Sequence, residues 1–240
     1  MIADKFREAL RKQVHIRKAP VRQGLVYGNP TSYQVNAINN PNELCSNILN
    51  SGVLNKYYSM PFTSFIEGGG EAVAKNELQF MIDLQNNLTE EDKMFIDLCE
   101  KDHAQVWSES LKELDIKGIE KASIKKFIDE TDSVLYSLKY SYQRPRPLQL
   151  AYMYNMPLYP FLATTANSPS YPSGHSFDAY KMAFLLSKRY PDKAMAFMSI
   201  ADAVTMSRIK GGVHYPSDSI ISKMLAKELT DQGFFDKYLV

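Results

Sequence analysis

The 240-residue sequence has two cysteines, one tryptophan and a formal net charge of only +1. Cys45 and Cys99 are too few for a disulfide framework, so both are predicted to be free thiols. The near-neutral charge gives no support to a strongly basic surface of the kind that binds duplex nucleic acid. The composition therefore indicates an ordinary globular protein, with neither a disulfide framework nor a strongly basic surface.

Long hydrophobic runs are also missing. No stretch of the sequence reaches the length that a membrane-spanning helix needs, so no membrane span is predicted. The first 20 residues lack the apolar segment of a secretory signal. A soluble, cytoplasmic protein is therefore expected, and self-association is left open.

The sequence has no clear strand or hairpin pattern, and the interpretation is an all-α fold in a single domain. Residues 1–62 are predicted to be an irregular segment packed on the core. Residues 63–240 are predicted to be the helical core. Within 1–22, seven basic residues form a basic arm that is interpreted as a solvated helix: Lys5, Arg7, Arg11, Lys12, Arg17, Lys18 and Arg22.

Helix boundaries can be predicted from caps and prolines. Thr89, followed by three acidic residues, predicts a helix to about Leu114. Apolar spacing over 124–138 predicts one helix that ends near Gln143, before two prolines. Three more helices are predicted over 172–189, 192–209 and from Pro216 onward.

Three clusters carry residues suited to phosphate chemistry. In the first, Lys139 and Arg146 supply a point charge and a planar donor fork. In the second, Pro172-Ser173-Gly174-His175 begins a helix, whose free N–H groups favour anions. Ser173 adds a hydroxyl, and Gly174 lets a ligand approach the backbone.

The third cluster contains Arg208, His214 and Asp218. Asp218 lies four residues after His214, in the first turn of a helix, where its carboxylate can bind one imidazole nitrogen. The other nitrogen would then be available as a nucleophile. Each cluster alone is also typical of ordinary helix ends, but the three together indicate one phosphate-handling site. No metal-ligand spacing accompanies them, and no cofactor or metal is expected.

These residues resemble the phosphatidic acid phosphatase type 2 superfamily, whose signature is K-x6-R-P, P-S-G-H and S-R-x5-H-x3-D. All three elements are present over roughly residues 135–225. The intervals and length look most like the soluble bacterial class A acid phosphatases. The resemblance implies the all-α fold shared by those enzymes and the vanadium haloperoxidases.

The resemblance also implies a role for each residue. Lys139, Arg146 and Arg208 would bind the phosphoryl oxygens, with hydrogen bonds from Ser173 and Gly174. His214 would attack phosphorus and form a phosphohistidine. Asp218 would hold His214, and His175 would protonate the leaving oxygen. The implied activity is metal-independent hydrolysis of a small phosphorylated substrate.

Several alternatives stay open at this point. Arg144-Pro145 repeats the Arg-Pro step, so Arg144 competes with Arg146 for the phosphate-binding role. A vanadium-dependent haloperoxidase, or a phosphate-binding protein without turnover, would use the same residues. His103 is interpreted as structural, and the sequence does not identify the phosphate ester.

Overall fold

The computed structural model describes residues 31–59, 70–159, 161 and 166–238. Within these ranges the chain is helical and contains no strand, which confirms the predicted fold class. The α-helices there are α1 Ser32–Asn39, α2 Glu43–Asn50, α3 Gly70–Asn86, α4 Glu90–Glu113, α5 Lys121–Asp129, α6 Asp132–Tyr142, α7 Pro147–Met153, α8 Gly174–Arg189, α9 Ala194–Lys210 and α10 Pro216–Asp231. The basic arm and the predicted boundary at residue 62 lie outside the described residues.

The core is built around α8, which packs against α9 and α10, while α9 also contacts α4. Phe177 and Ala183 of α8, Ala201 of α9 and Leu225 of α10 are fully buried. A second, smaller core cluster joins α3 and α7 to the end of α9. None of the helices in the described parts of the chain is long and apolar enough to cross a membrane.

The described part of the N-terminal segment is more regular than predicted. Residues 31–59 form α1, α2 and a short 3-10 helix over Asn55–Ser59. Polar residues of this segment cap the two α-helices. The side chain of Thr31 accepts from Gln34 N, and that of Asn42 accepts from Cys45 N at 2.8 Å. Two-turn helices are short enough for their caps to dominate the local composition.

The single helix predicted over 124–143 is two helices, α5 and α6, broken at Glu130 and Thr131. The apolar residues behind the prediction are buried, so the periodicity itself was interpreted correctly. The break has a tertiary cause. The fully buried Lys181 ammonium donates to the carbonyls of Phe127 and Ile128 and to Thr131 Oγ1. A cation from another helix thus caps the end of α5.

Four helix ends meet at one place in the fold. Helix α6 ends at Tyr142, where Gln143 adopts a left-handed conformation (φ 50°) and redirects the chain. Ser173 caps the start of α8, and Tyr215 and Pro216 start α10. Arg208 lies in the last turn of α9. The three sequence clusters are therefore brought together by helix termini, where backbone groups are available to ligands.

Candidate active site

The centre of the site is a histidine–carboxylate pair between α9 and α10. His214 Nδ1 lies 3.3 Å from Asp218 Oδ2, and both side chains are buried. A carboxylate can only accept, so Nδ1 carries the proton and Nε2 has the free electron pair. The i,i+4 spacing seen in the sequence produces this contact because Asp218 lies in the first turn of α10.

Arg146 occupies the other side of the same imidazole. Its Nη1 lies 2.9 Å from His214 Nε2, and a guanidinium can only donate. Arg146 Nη1 also donates to Val213 O, and its Nε donates to Ser168 O, each at 2.8 Å. These bonds agree with the tautomer assigned from Asp218. They place a fixed cation directly against the free nitrogen of His214.

Burial and neighbouring charge set the protonation state of the pair. Burial lowers the pKa of His214 well below its ordinary value, and Arg146 and Lys139 lower it further, against the opposing effect of Asp218. Burial would raise the pKa of Asp218. The charge of Arg144 and the hydrogen bond from His214 nevertheless hold the pKa of Asp218 below its usual range. At neutral pH the pair is therefore a neutral imidazole and a carboxylate.

Arg144, the rival candidate for phosphate binding, faces the carboxylate. Its Nη1 donates to Asp218 Oδ1 at 2.5 Å and to Ser217 Oγ at 2.7 Å. Its Nη2 donates to Glu77 Oε2 of α3 at 3.1 Å, and the guanidinium stacks on the Tyr215 ring at 4.1 Å. Arg144 is thus an ion-pair partner of two carboxylates.

Lys139, in the last turn of α6, is buried beside the proline-rich segment before α8. Its ammonium donates to the carbonyls of Pro169 and Pro172, at 2.8 and 2.7 Å. Burial lowers the pKa of Lys139 well below its ordinary value, and the charge of Arg146 lowers it further. Backbone carbonyls of the segment that leads into the second motif thus hold Lys139.

Arg208 approaches from α9 and pairs with a carboxylate that the sequence did not single out. Its Nη2 lies 2.5 Å from Glu100 Oε2 of α4, and both side chains are nearly inaccessible. The buried Nε of Arg208 has no hydrogen-bond partner among the described residues. A buried donor without a partner in the described parts of the chain is suited to an anionic ligand.

The start of α8 carries the second motif. The Ser173 side chain accepts from Ser176 N at 3.4 Å as a helix cap. A Cβ on Gly174 would meet only Leu135 Cδ1 at an ordinary 3.8 Å, so packing does not itself require glycine there. Burial lowers the pKa of His175 well below its ordinary value, and the charges of Arg208, His103 and His214 add to the effect. The His175 ring lies against α4, with its Nε2 at 3.1 Å from Cys99 O.

The structure brings every residue predicted for the site to the junction of α6, α8, α9 and α10. Several neighbours of these residues were not predicted, and they share one property: each contacts a predicted site residue or its partner. They are Glu77, Glu100, His103, Ser168 and Ser170. Their helices or loops lie outside the motifs, and no spacing pattern in the sequence connects them to the site.

The fold and this geometry define a class: an all-helical protein with a buried histidine–carboxylate pair among cations at helix ends. Residues 131–227 match the model of the PAP2 superfamily. The match spans α6 to most of α10 and agrees with the superfamily resemblance of the three motifs. It suggests phosphatase-type activity. A search of curated proteins found no match.

Proposed function

We propose that this protein hydrolyses phosphate esters, without a metal, through a phosphohistidine on His214, as the soluble class A acid phosphatases do. The observation that carries the proposal is the hydrogen-bond chain from Asp218 through His214 to Arg146. It leaves the Nε2 electron pair of a neutral imidazole directed at a phosphate-binding cation. A nucleophile and an electrophile-binding group are thus already in contact.

Substrate would exchange protein contacts for phosphoryl contacts. Arg146 would move its donor from His214 Nε2 to a phosphoryl oxygen, which frees the nitrogen to attack. Arg208 would offer its unpartnered Nε and share its charge with Glu100. Lys139 would add a further positive charge. Fixed cations of this kind stabilise the charge that develops on the phosphoryl oxygens.

In the first step His214 Nε2 forms a bond to phosphorus while the bond from phosphorus to the ester oxygen breaks. His175 would give a proton to that oxygen, and the alcohol would leave. In the second step water would attack phosphorus and pass a proton to His175. The P–N bond would break, return its electron pair to Nε2 and release phosphate.

The hydrogen bond of His175 supports a specific atom as the proton donor of this proposal. Its Nε2 lies 3.1 Å from Cys99 O, and a carbonyl can only accept, so Nε2–H is the donor. The exchangeable proton must then lie on Nδ1. A bound phosphoryl group would offset the charge of Arg208 and raise the pKa of His175, so substrate binding would itself favour the protonated acid.

The decisive experiment traps the covalent intermediate. Purified protein is given p-nitrophenyl phosphate in EDTA, quenched, and analysed by mass spectrometry for phosphohistidine. The His175→Ala variant should accumulate phosphate on His214, because the water-activating base is gone while nitrophenolate still leaves. The His214→Ala variant should show no phosphoenzyme and lose at least about 10³-fold in kcat.

Three outcomes would reject the proposal. Phosphate trapped on another residue would remove the nucleophile assignment. A requirement for added metal would remove the metal-independent mechanism. Tight phosphate binding by the wild-type protein without turnover of a broad phosphomonoester panel would show a binding protein instead. Circular dichroism of each variant separates chemical loss from unfolding.

A further inference from the structure

Helix α4 is interrupted in the middle. Asp102 has an extended backbone (φ −161°, ψ 73°), so α4 consists of two helical halves. Asp102 Oδ1 accepts from Gln105 N at 3.2 Å and caps the second half. Its other oxygen pairs with Lys121 of α5. The interruption is therefore built from specific contacts, and His103 becomes the first residue of the second half.

The interruption lets α4 touch His175 from both of its halves. Before it, the Cys99 carbonyl accepts the His175 Nε2 proton. After it, the His103 ring lies with its centroid 4.7 Å from that of His175, at an interplanar angle of 48°. His103 Nε2 is buried and has no hydrogen-bond partner among the described residues. The ring contact is thus the main interaction that the structure records for this imidazole.

We propose that His103 is a positioning residue for the reaction. With the Cys99 carbonyl, its ring fixes the imidazole of His175 so that Nδ1 faces the leaving oxygen. The inference rests on the proposed function, because it assigns His103 to the proton donor of that mechanism. Without the His103 ring, only one hydrogen bond from α4 would hold His175, and the imidazole could rotate about it.

The charges around the two rings fit this role. Burial lowers the pKa of His103 to about 4, with contributions from Arg208 and Lys181 that Asp102 and Asp129 oppose. His103 is therefore neutral above that pH and does not repel a proton on His175. A neutral aromatic neighbour can hold the proton donor without competing with it.

Leaving-group dependence distinguishes positioning from general structural support. His103→Ala should reduce kcat/KM about tenfold for an alkyl phosphate, whose leaving oxygen needs the proton, and less than about threefold for p-nitrophenyl phosphate. His103→Phe keeps an aromatic ring on His175 and should retain most of the alkyl phosphate activity. Thermal melting of both variants reports any loss of fold.

A double-mutant cycle with His175→Ala gives the sharper test. In that background His103→Ala should change kcat/KM less than about twofold, because there is no proton donor left to position. Equal losses on both substrates, or an undiminished loss in the His175→Ala background, would overturn the inference.

Proton NMR tests the contact even if no ester is hydrolysed. The chain has four histidines, so the His175 resonance can be assigned by its loss in His175→Ala. In His103→Ala, water should reach His175, and its titration should move up toward the ordinary pKa of about 6.5. An unchanged titration would overturn the inference. An inactive wild type with the expected NMR shift would reject only the proposed function.

Discussion

Asp218 accepts hydrogen bonds from four donor groups of the site. Oδ2 receives His214 Nδ1, the Tyr215 N–H and Ser170 Oγ, and Oδ1 receives Arg144 Nη1. These donors come from the segments before α7, α8 and α10. Because a buried carboxylate is costly without such partners, the orientation of His214 depends on all three segments.

The two arginines of Arg144-Pro-Arg-Pro should therefore respond differently to substitution. Arg144→Met leaves the carboxylates of Asp218 and Glu77 buried without their cation, which we expect to cost about 3–5 kcal/mol of unfolding free energy. Arg146→Met removes hydrogen bonds to carbonyls and to His214, and should cost about 1–3 kcal/mol. Urea denaturation measures both values.

Phosphate affinity should show the opposite order. Arg146→Met should weaken competitive inhibition by inorganic phosphate strongly, because Arg146 is the proposed ligand. Folded Arg144→Met, assayed in stabilising conditions, should retain most of its phosphate affinity. If phosphate affinity falls further in Arg144→Met than in Arg146→Met, then Arg144 and not Arg146 contacts the phosphate.

At the scale of helices, sequence patterns predicted the helix ends that contacts between sequence neighbours determine. Thr89 caps α4 with a reciprocal pair of bonds to Asp92, each 3.1 Å, as its sequence pattern predicted. The interruption at Asp102 was not predicted, because one of the two contacts of its carboxylate is to Lys121, a residue 19 positions away. The break between α5 and α6 was not predicted for the same reason, because the side chain that caps the end of α5 is Lys181 on α8.

The two caps of α4 provide a matched pair for testing the role of its interruption. Thr89→Ala and Asp102→Ala each remove an N-cap and should each cost about 1 kcal/mol of unfolding free energy. Only Asp102→Ala should also lower kcat/KM for alkyl phosphates, because it loosens the backbone that places His103. Equal kinetics in the two variants would show that the interruption has no part in the reaction.

At the scale of the whole molecule, the motifs predicted the residues that we propose as phosphate ligands and nucleophile, and the neighbours that hold them follow only from packing. Lys139, Arg146, Arg208 and His214 could be identified because phosphate chemistry restricts residue type and spacing. Glu100 could not be identified from the sequence. It lies on a helix outside the motif and pairs with Arg208 only through the packing of α4 on α9. The roles of these residues remain predictions until kinetics tests them.

Buried histidines couple this site to the stability of the entire fold. Burial lowers the pKa of His103, His175 and His214 in the folded protein, whereas unfolded histidines titrate near 6.5. Below about pH 6.5 the unfolded state therefore binds more protons than the folded state, and stability falls as the pH falls. Asp178 and Asp132 act in the opposite direction, because burial raises the pKa of both carboxyl groups, that of Asp178 to about 7.

With three histidines against two carboxylic acids, the net effect should destabilise the protein in acid. We expect the free energy of unfolding to fall by about 1–3 kcal/mol between pH 6.5 and 5.5.

The same depressed pKa values place the kcat/KM maximum on the acidic side of pH 6.5, since the reaction needs neutral His214 and protonated His175. Activity and stability should thus favour different pH values. Urea denaturation at each pH, beside the kinetic profile, measures both curves.

His103→Phe provides the control: with one buried histidine fewer, its stability should decline less steeply in acid than that of the wild type. A wild-type stability that rises from pH 6.5 to 5.5 would mean that Asp178 and Asp132, and not the histidines, dominate the linkage.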